Sequence, residues 1–174
     1  MLNYIVIGNM ISFIGAGLMV LIGFLKDQKK ILAAQDLQFA IMGVSNLILG
    51  GISGVISNLL SIARNVLFQK TGKLSMKTKV LFILLQALLT AYFNKSGAIG
   101  WLPVIAAAAF TFVMDSEDPT VLKISIIFGQ ALWAVFDITF SNYVSCFFDI
   151  LTILTNLYGI FLVLKTRDNV IANA

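Results

Sequence analysis

Seven apolar runs separated by short polar breaks constrain this chain more than any other feature. They cover about residues 4–25, 36–49, 55–68, 80–93, 99–114, 121–136 and 143–164. An α-helix of about 20 apolar residues spans the roughly 30 Å of hydrocarbon in a bilayer, where a spanning segment must satisfy its own backbone hydrogen bonds. The pattern therefore predicts an all-α membrane protein. Composition agrees: 59% of the residues are hydrophobic and 11% are charged, whereas soluble domains carry about 25% charge. A single transmembrane domain over residues 1–174 follows.

The breaks set the expected topology. Gly50-Gly51-Ile52-Ser53-Gly54 splits what would otherwise be one long helix into a hairpin. Asp36 is placed to cap the second helix. Asp118 followed by Pro119 starts the sixth, since proline is tolerated in a first turn. Pro103 fits either a first turn or a kink deeper in the fifth. Seven crossings put the loop cations from Lys26 to Arg167 on one side, leaving only Lys95 on the other and Arg64 inside a helix. Positive loops face the cytoplasm, so the N-terminus is expected outside and the C-terminus inside. Tyr4, Tyr92, Trp101 and Tyr143 then form an outer aromatic belt. Asp115, Glu117 and Asp118 are acidic yet cytoplasmic, but acids weigh little in this rule. The first run lacks a basic leader and a small-residue cleavage motif, so it reads as a retained helix and not a signal peptide.

Asp149 is the residue that sits least easily in such a chain. A carboxylate at the centre of a membrane helix costs about 2.5–3.5 kcal/mol on insertion scales, so it needs a partner or a watery cavity. Its segment, 149–157, aligns without a gap on 58–66, pairing Asn58 with Asp149, Ser61 with Thr152, Ile62 with Ile153 and Asn65 with Asn156. This duplication predicts two parallel three-helix bundles, 1–72 and 96–169, joined by a linker helix over 73–95. Such a 3+1+3 repeat is related by an axis along the membrane normal, and a solute pathway would run between its halves. Bland readings stand beside this one. Asp149 would also serve by neutralising Arg64, whose long side chain can reach back or snorkel. Asn58 would also serve as an adhesive between helices. For Asn65 and Asn156, gating of the inner mouth and adhesion are equally open.

Ser12-Phe13-Ile14-Gly15, the stretch from Gly23 to Lys30, the segment carrying Gly50, Asn58 and Arg64, and Leu102-Pro103-Val104-Ile105 resemble the YgjV family of bacterial inner-membrane proteins. The resemblance implies a bacterial cytoplasmic-membrane location. It also implies kinship with the SWEET, SemiSWEET, PQ-loop and PnuC-like transporters, and facilitated movement of small solutes. Halves of that group carry a Trp on the second helix and an Asn on the third, both facing the solute. By that resemblance Trp133 and Asp149 fill these positions in the second half, and Asn46 and Asn58 in the first. The chain departs from the group in two ways. The Pro-Gln pair is missing, being Gly15-Ala16 and Pro103-Val104 here, and the first half has no Trp. A sugar-stacking site therefore does not carry over.

The expected function is that of a small-solute facilitator or uniporter, with proton linkage through Asp149 as an option. Asn58, Asp149 and Trp133 are its principal site residues, and Asn46, Arg64, Gln130, Asn65 and Asn156 are further candidates. The rival is a non-transporting inner-membrane interaction or regulatory protein of the same fold, with its polar positions buried in separate seams. An enzyme is not expected: the chain has no histidine, no paired carboxylates on one helix face and no nucleophile–base constellation. One cysteine and no histidine argue against a metal, and no cofactor motif is present. Cys146 and Tyr158 read as packing residues, and Asp137 is expected to face outer water. The net charge of +4 comes largely from loop lysines and is no sign of nucleic-acid binding. The expected partners are the solute, the lipid and, where it oligomerises, a second copy of the chain.

Overall fold

The structure is a computed structural model that describes residues 2–22, 28–116 and 118–172. Seven α-helices follow one another: α1 (Leu2–Ile22), α2 (Gln28–Leu49), α3 (Ile52–Thr71), α4 (Met76–Phe93), α5 (Leu102–Val113), α6 (Pro119–Thr139) and α7 (Tyr143–Ala172). A short 3-10 helix, Gly97–Trp101, leads into α5, and no strand occurs among the described residues. Helices α2, α4, α6 and α7 contain stretches long and apolar enough to cross a membrane, while α1 and α5 carry shorter apolar stretches.

Helix α3 is the exception, and its sequence says why. Ser53, Ser57, Asn58, Ser61, Arg64 and Asn65 recur every three or four residues and are all buried, whereas Ile52, Leu59 and Val66 are exposed. Its polar stripe faces inward and its apolar stripe outward, the reverse of a helix on a water-soluble protein. The whole molecule follows suit, with buried serines and asparagines and exposed leucines and phenylalanines. Lipid as the outer solvent accounts for both.

Several boundaries differ from the sequence reading. Asp36 does not cap α2, because the helix already starts at Gln28. The intervening Lys, Ile, Leu, Ala and Gln residues are competent helix formers, so nothing interrupts it. Asp36 instead accepts a hydrogen bond from Gln69 Nε2 on α3, at 3.2 Å. Asp118 does cap α6, accepting from the Thr120 amide at 2.8 Å, and Pro103 lies in the first turn of α5. The break at residues 26 and 27 and the acid Glu117 lie outside the described residues. Tyr4, Tyr92, Trp101 and Tyr143 are all exposed.

Contacts run α1 to α2 to α3, then α3 to α5, α5 to α6 to α7, and α7 back to α1. They close a ring that leaves out α4, which packs on α3 and α5. The two hairpins of the ring repeat one another closely. Gly50 and Ser141 both adopt positive φ, +84° and +58°. Gly50 N–H donates to the Leu47 carbonyl and Gly51 N–H to that of Asn46. Ser141 N–H donates in the same way to Ile138, and Asn142 N–H to Asp137. Each atom pair recurs 91 positions later, as Asn58 does at Asp149.

Asn9 ties the ring shut at the end where both hairpins turn. Its Nδ2 donates to the Ser141 carbonyl at 2.8 Å, and its Oδ1 accepts from the Val144 amide at 3.0 Å. Beside it Ser12, Ser45 and the Gly8 carbonyl form a buried chain between α1 and α2.

At the opposite end, Lys79 Nζ on α4 donates to the Phe112 carbonyl and forms an ion pair with Asp115, in the α5–α6 loop. The hydrogen bond from Lys79 holds the Asp115 carboxyl below its ordinary range. A carboxyl depressed in the folded state contributes stability above its unfolded value of about 3.9, and that contribution is lost as pH falls through the folded value. The parent and Asp115→Asn should therefore differ in Tm at neutral pH, with the gap starting to narrow as pH falls to about 4 and closing below the folded value. A constant gap across pH 3–7 in thermal unfolding would show that the pair adds nothing.

Candidate functional site

A cavity of about 70 Å³ lies inside the ring, walled by α1, α2, α3, α6 and α7. That is room for several waters or a small polar solute. Each helix supplies a stripe at helical spacing. Phe39, Met42 and Asn46 come from α2, Gln130, Trp133 and Asp137 from α6, and Ser145, Phe148 and Asp149 from α7. Helix α3 adds Asn58, and α1 adds Ala16 and Met19. Helices α2 and α3 meet here at Gly43, where a Cβ would stand in ordinary contact with Asn58 Cβ at 3.7 Å.

The polar groups of the cavity are buried yet unfulfilled. Asn46 is 1% exposed, Asn58 4% and Asp149 8%. Both amide atoms of Asn46, Nδ2 of Asn58 and Oδ2 of Asp149 have no hydrogen-bond partner among the described residues. An orphaned buried polar atom loses about 1–3 kcal/mol of desolvation unless something fills its place. Water or a solute has to meet these atoms.

Five of the residues singled out from the sequence share this cavity: Asn46, Asn58, Gln130, Trp133 and Asp149. Three do not. Arg64 is six residues past Asn58, which turns it by about 240° to another face of α3. There it donates to Thr111 Oγ1 on α5 at 3.0 Å and to Asn65 Oδ1 at 3.2 Å, beneath the Phe110 ring. Thus Arg64 forms no ion pair with Asp149, and Asn65 is occupied by Arg64. Asn156 has the right face but lies two turns beyond Asp149, and its amide turns back onto the Thr152 carbonyl at 2.8 Å.

Asp137 is the residue that the sequence reading misplaced. It is not in outer water but 2% exposed. Its carboxyl lies within hydrogen-bonding reach of Asp149 and Ser145, and Asn142 Nδ2 donates to it at 3.4 Å. The absence of paired carboxylates on one helix hid a pair formed by two helices. Extending the gapless register back by twelve residues would have found it, because Asn46 falls on Asp137 and Met42 on Trp133. The counterpart of Asn46 is therefore Asp137 and not Trp133. The first unit offers two amides and the second unit, at the same two positions, two acids.

No curated protein and no solved structure matches the chain at a significant level. Residues 6–167 match the family model Imp-YgjV, and the chain accordingly belongs to this family of bacterial inner membrane proteins.

Proposed function

We propose that this protein is a small-solute transporter, a facilitator or uniporter, whose site is the ring cavity. Helices α1–α3 and α5–α7 act as two parallel units linked by α4, in the manner of the SWEET and PQ-loop proteins. The N-terminus lies outside and the C-terminus in the cytoplasm. One observation carries this reading: polar atoms from both units, each more than nine-tenths buried, meet at one cavity and are left without partners. Packed adhesive residues would be paired with each other. The units touch chiefly along α1–α7 and α3–α5, so rocking about these seams can expose the cavity to one side and then the other.

Access to the cavity tests this without knowledge of the solute. In a Cys146→Ser background, single cysteines at Met19 and Gln130 are placed in the cavity wall. In sealed proteoliposomes a membrane-impermeant maleimide is expected to label them from either side. Labelling from one side alone, or from neither, would overturn alternating access and favour a non-transporting membrane partner protein.

A further inference from the structure

Two carboxyls share this cavity, and no cation among the described residues answers them. Asp137 on α6 and Asp149 on α7 face each other within hydrogen-bonding reach. Among the described residues no Lys or Arg lines the cavity, and the ion pair found among them, Lys79–Asp115, lies elsewhere. An acid pair alone would say little. The second observation is that Asn46 and Asn58, each more than nine-tenths buried, line the same cavity and carry polar atoms without a partner among the described residues, as does Asp149.

The walls narrow the chemistry further. Trp133, Phe39 and Phe148 present aromatic surface, and Met19 and Met42 present soft thioethers. Aromatic faces beside carboxylates are a recognition set for ammonium groups. An anion would meet two acids. A neutral polyol would satisfy the amides but leave the one negative charge of a proton-sharing acid pair without a counter-charge in a low-dielectric site. A bare inorganic ion would gain nothing from the rings, and no cluster of three metal-ligating side chains occurs among the described residues.

We propose that the solute is a small organic cation, a primary or quaternary ammonium compound, seated between the Asp137–Asp149 pair and the Trp133 ring with Asn46 and Asn58 opposite. This rests on the transport reading above and names its substrate class. The repeat explains the asymmetry: amides at both positions of the first unit hold polar substituents, and acids at both positions of the second hold the charge.

Purified full-length protein in nanodiscs is titrated with choline, with its neutral carbon isostere dimethylbutanol, and with methylammonium, all at fixed ionic strength. Thermal shift and calorimetry are read together. Choline or methylammonium should bind at least tenfold more tightly than the neutral isostere. Asp149→Asn and Asp137→Asn should each weaken the cation at least tenfold. Asn58→Asp, which puts an acid at the repeat-equivalent position, should tighten it, so the proposal stays testable if an Asp variant misfolds. Equal binding of the isostere, displacement by equimolar sodium, or no response to either ammonium ion would overturn the substrate class. Two-sided maleimide access in the same preparation would then leave transport standing with a different solute, whereas its loss removes both.

Discussion

Phe136→Ala is expected to lower stability by about 3–5 kcal/mol, the range for truncating a fully buried phenylalanine. The ring is 0% exposed and sits where α6 meets the first hairpin. It stands edge-on to Trp133 with centroids 5.4 Å apart and packs on Phe140 at 4.7 Å. The glycines of the hairpin exist to admit it. A Cβ at Gly51 would come within 3.0 Å of the ring, and one at Gly54 within 2.9 Å of it and 2.7 Å of Asn46 Nδ2. In a bilayer no hydrophobic force holds helices together, so this interlock is mainly dispersion and shape. Gly54→Val should then cost about 1–3 kcal/mol by overpacking. Because both substitutions act on one contact, combining Gly54→Val with Phe136→Ala should cost less than the sum of the two. Denaturant unfolding in mixed micelles measures the cycle. Strict additivity, or a loss below about 1 kcal/mol for Phe136→Ala, would mean that the ring is not the keystone of this contact.

The same region shows what the sequence could and could not convey. Helix number follows from apolar run length, and all seven were legible because lipid forces a continuous apolar surface on most of them. Helix α3 was legible by its glycine break even though its own hydropathy is poor. Its polar stripe, which reads as a weak span, is the inner wall of the ring. The start of α2 was not legible, because a charged stretch of good helix formers carries no stop signal. For the site, the register of 58 on 149 was enough to bring Asn58 and Asp149 to one cavity. Asp137 becomes legible only when that register is carried back to Asn46, since on its own a carboxylate near a helix end looks alike in sequence whether it faces water or turns inward. Arg64 lies six residues past Asn58, and only the turn of 100° per residue separates the stripe that lines the cavity from the one that meets α5.

That second stripe sets up an asymmetric prediction at the α3–α5 seam. Arg64 is buried, with its guanidinium held by Thr111 and Asn65 and its Nε without a partner among the described residues. No carboxylate among the described residues lies within ion-pair distance, although Asp36 on α2 is near enough for its field to be felt. A buried charge so placed is held in by its hydrogen bonds against a standing desolvation penalty. Thr111→Val deletes a bond to a charged group and keeps the charge, so it should lose about 1.5–3 kcal/mol. Arg64→Met deletes the charge together with its need for acceptors, so it should be near neutral or stabilising, as replacement of buried ionic groups by apolar ones often is. Arg64→Lys should be worse than Arg64→Met, because an ammonium cannot reach both acceptors with the geometry of the guanidinium fork. In the double variant Arg64→Met with Thr111→Val, most of the threonine loss should be recovered. All of these should leave access to the ring cavity unchanged, since Arg64 stands outside it. If Arg64→Met proves far more damaging than Thr111→Val, the guanidinium is holding a partner beyond those seen here, and Asp36 on α2 is the first to examine.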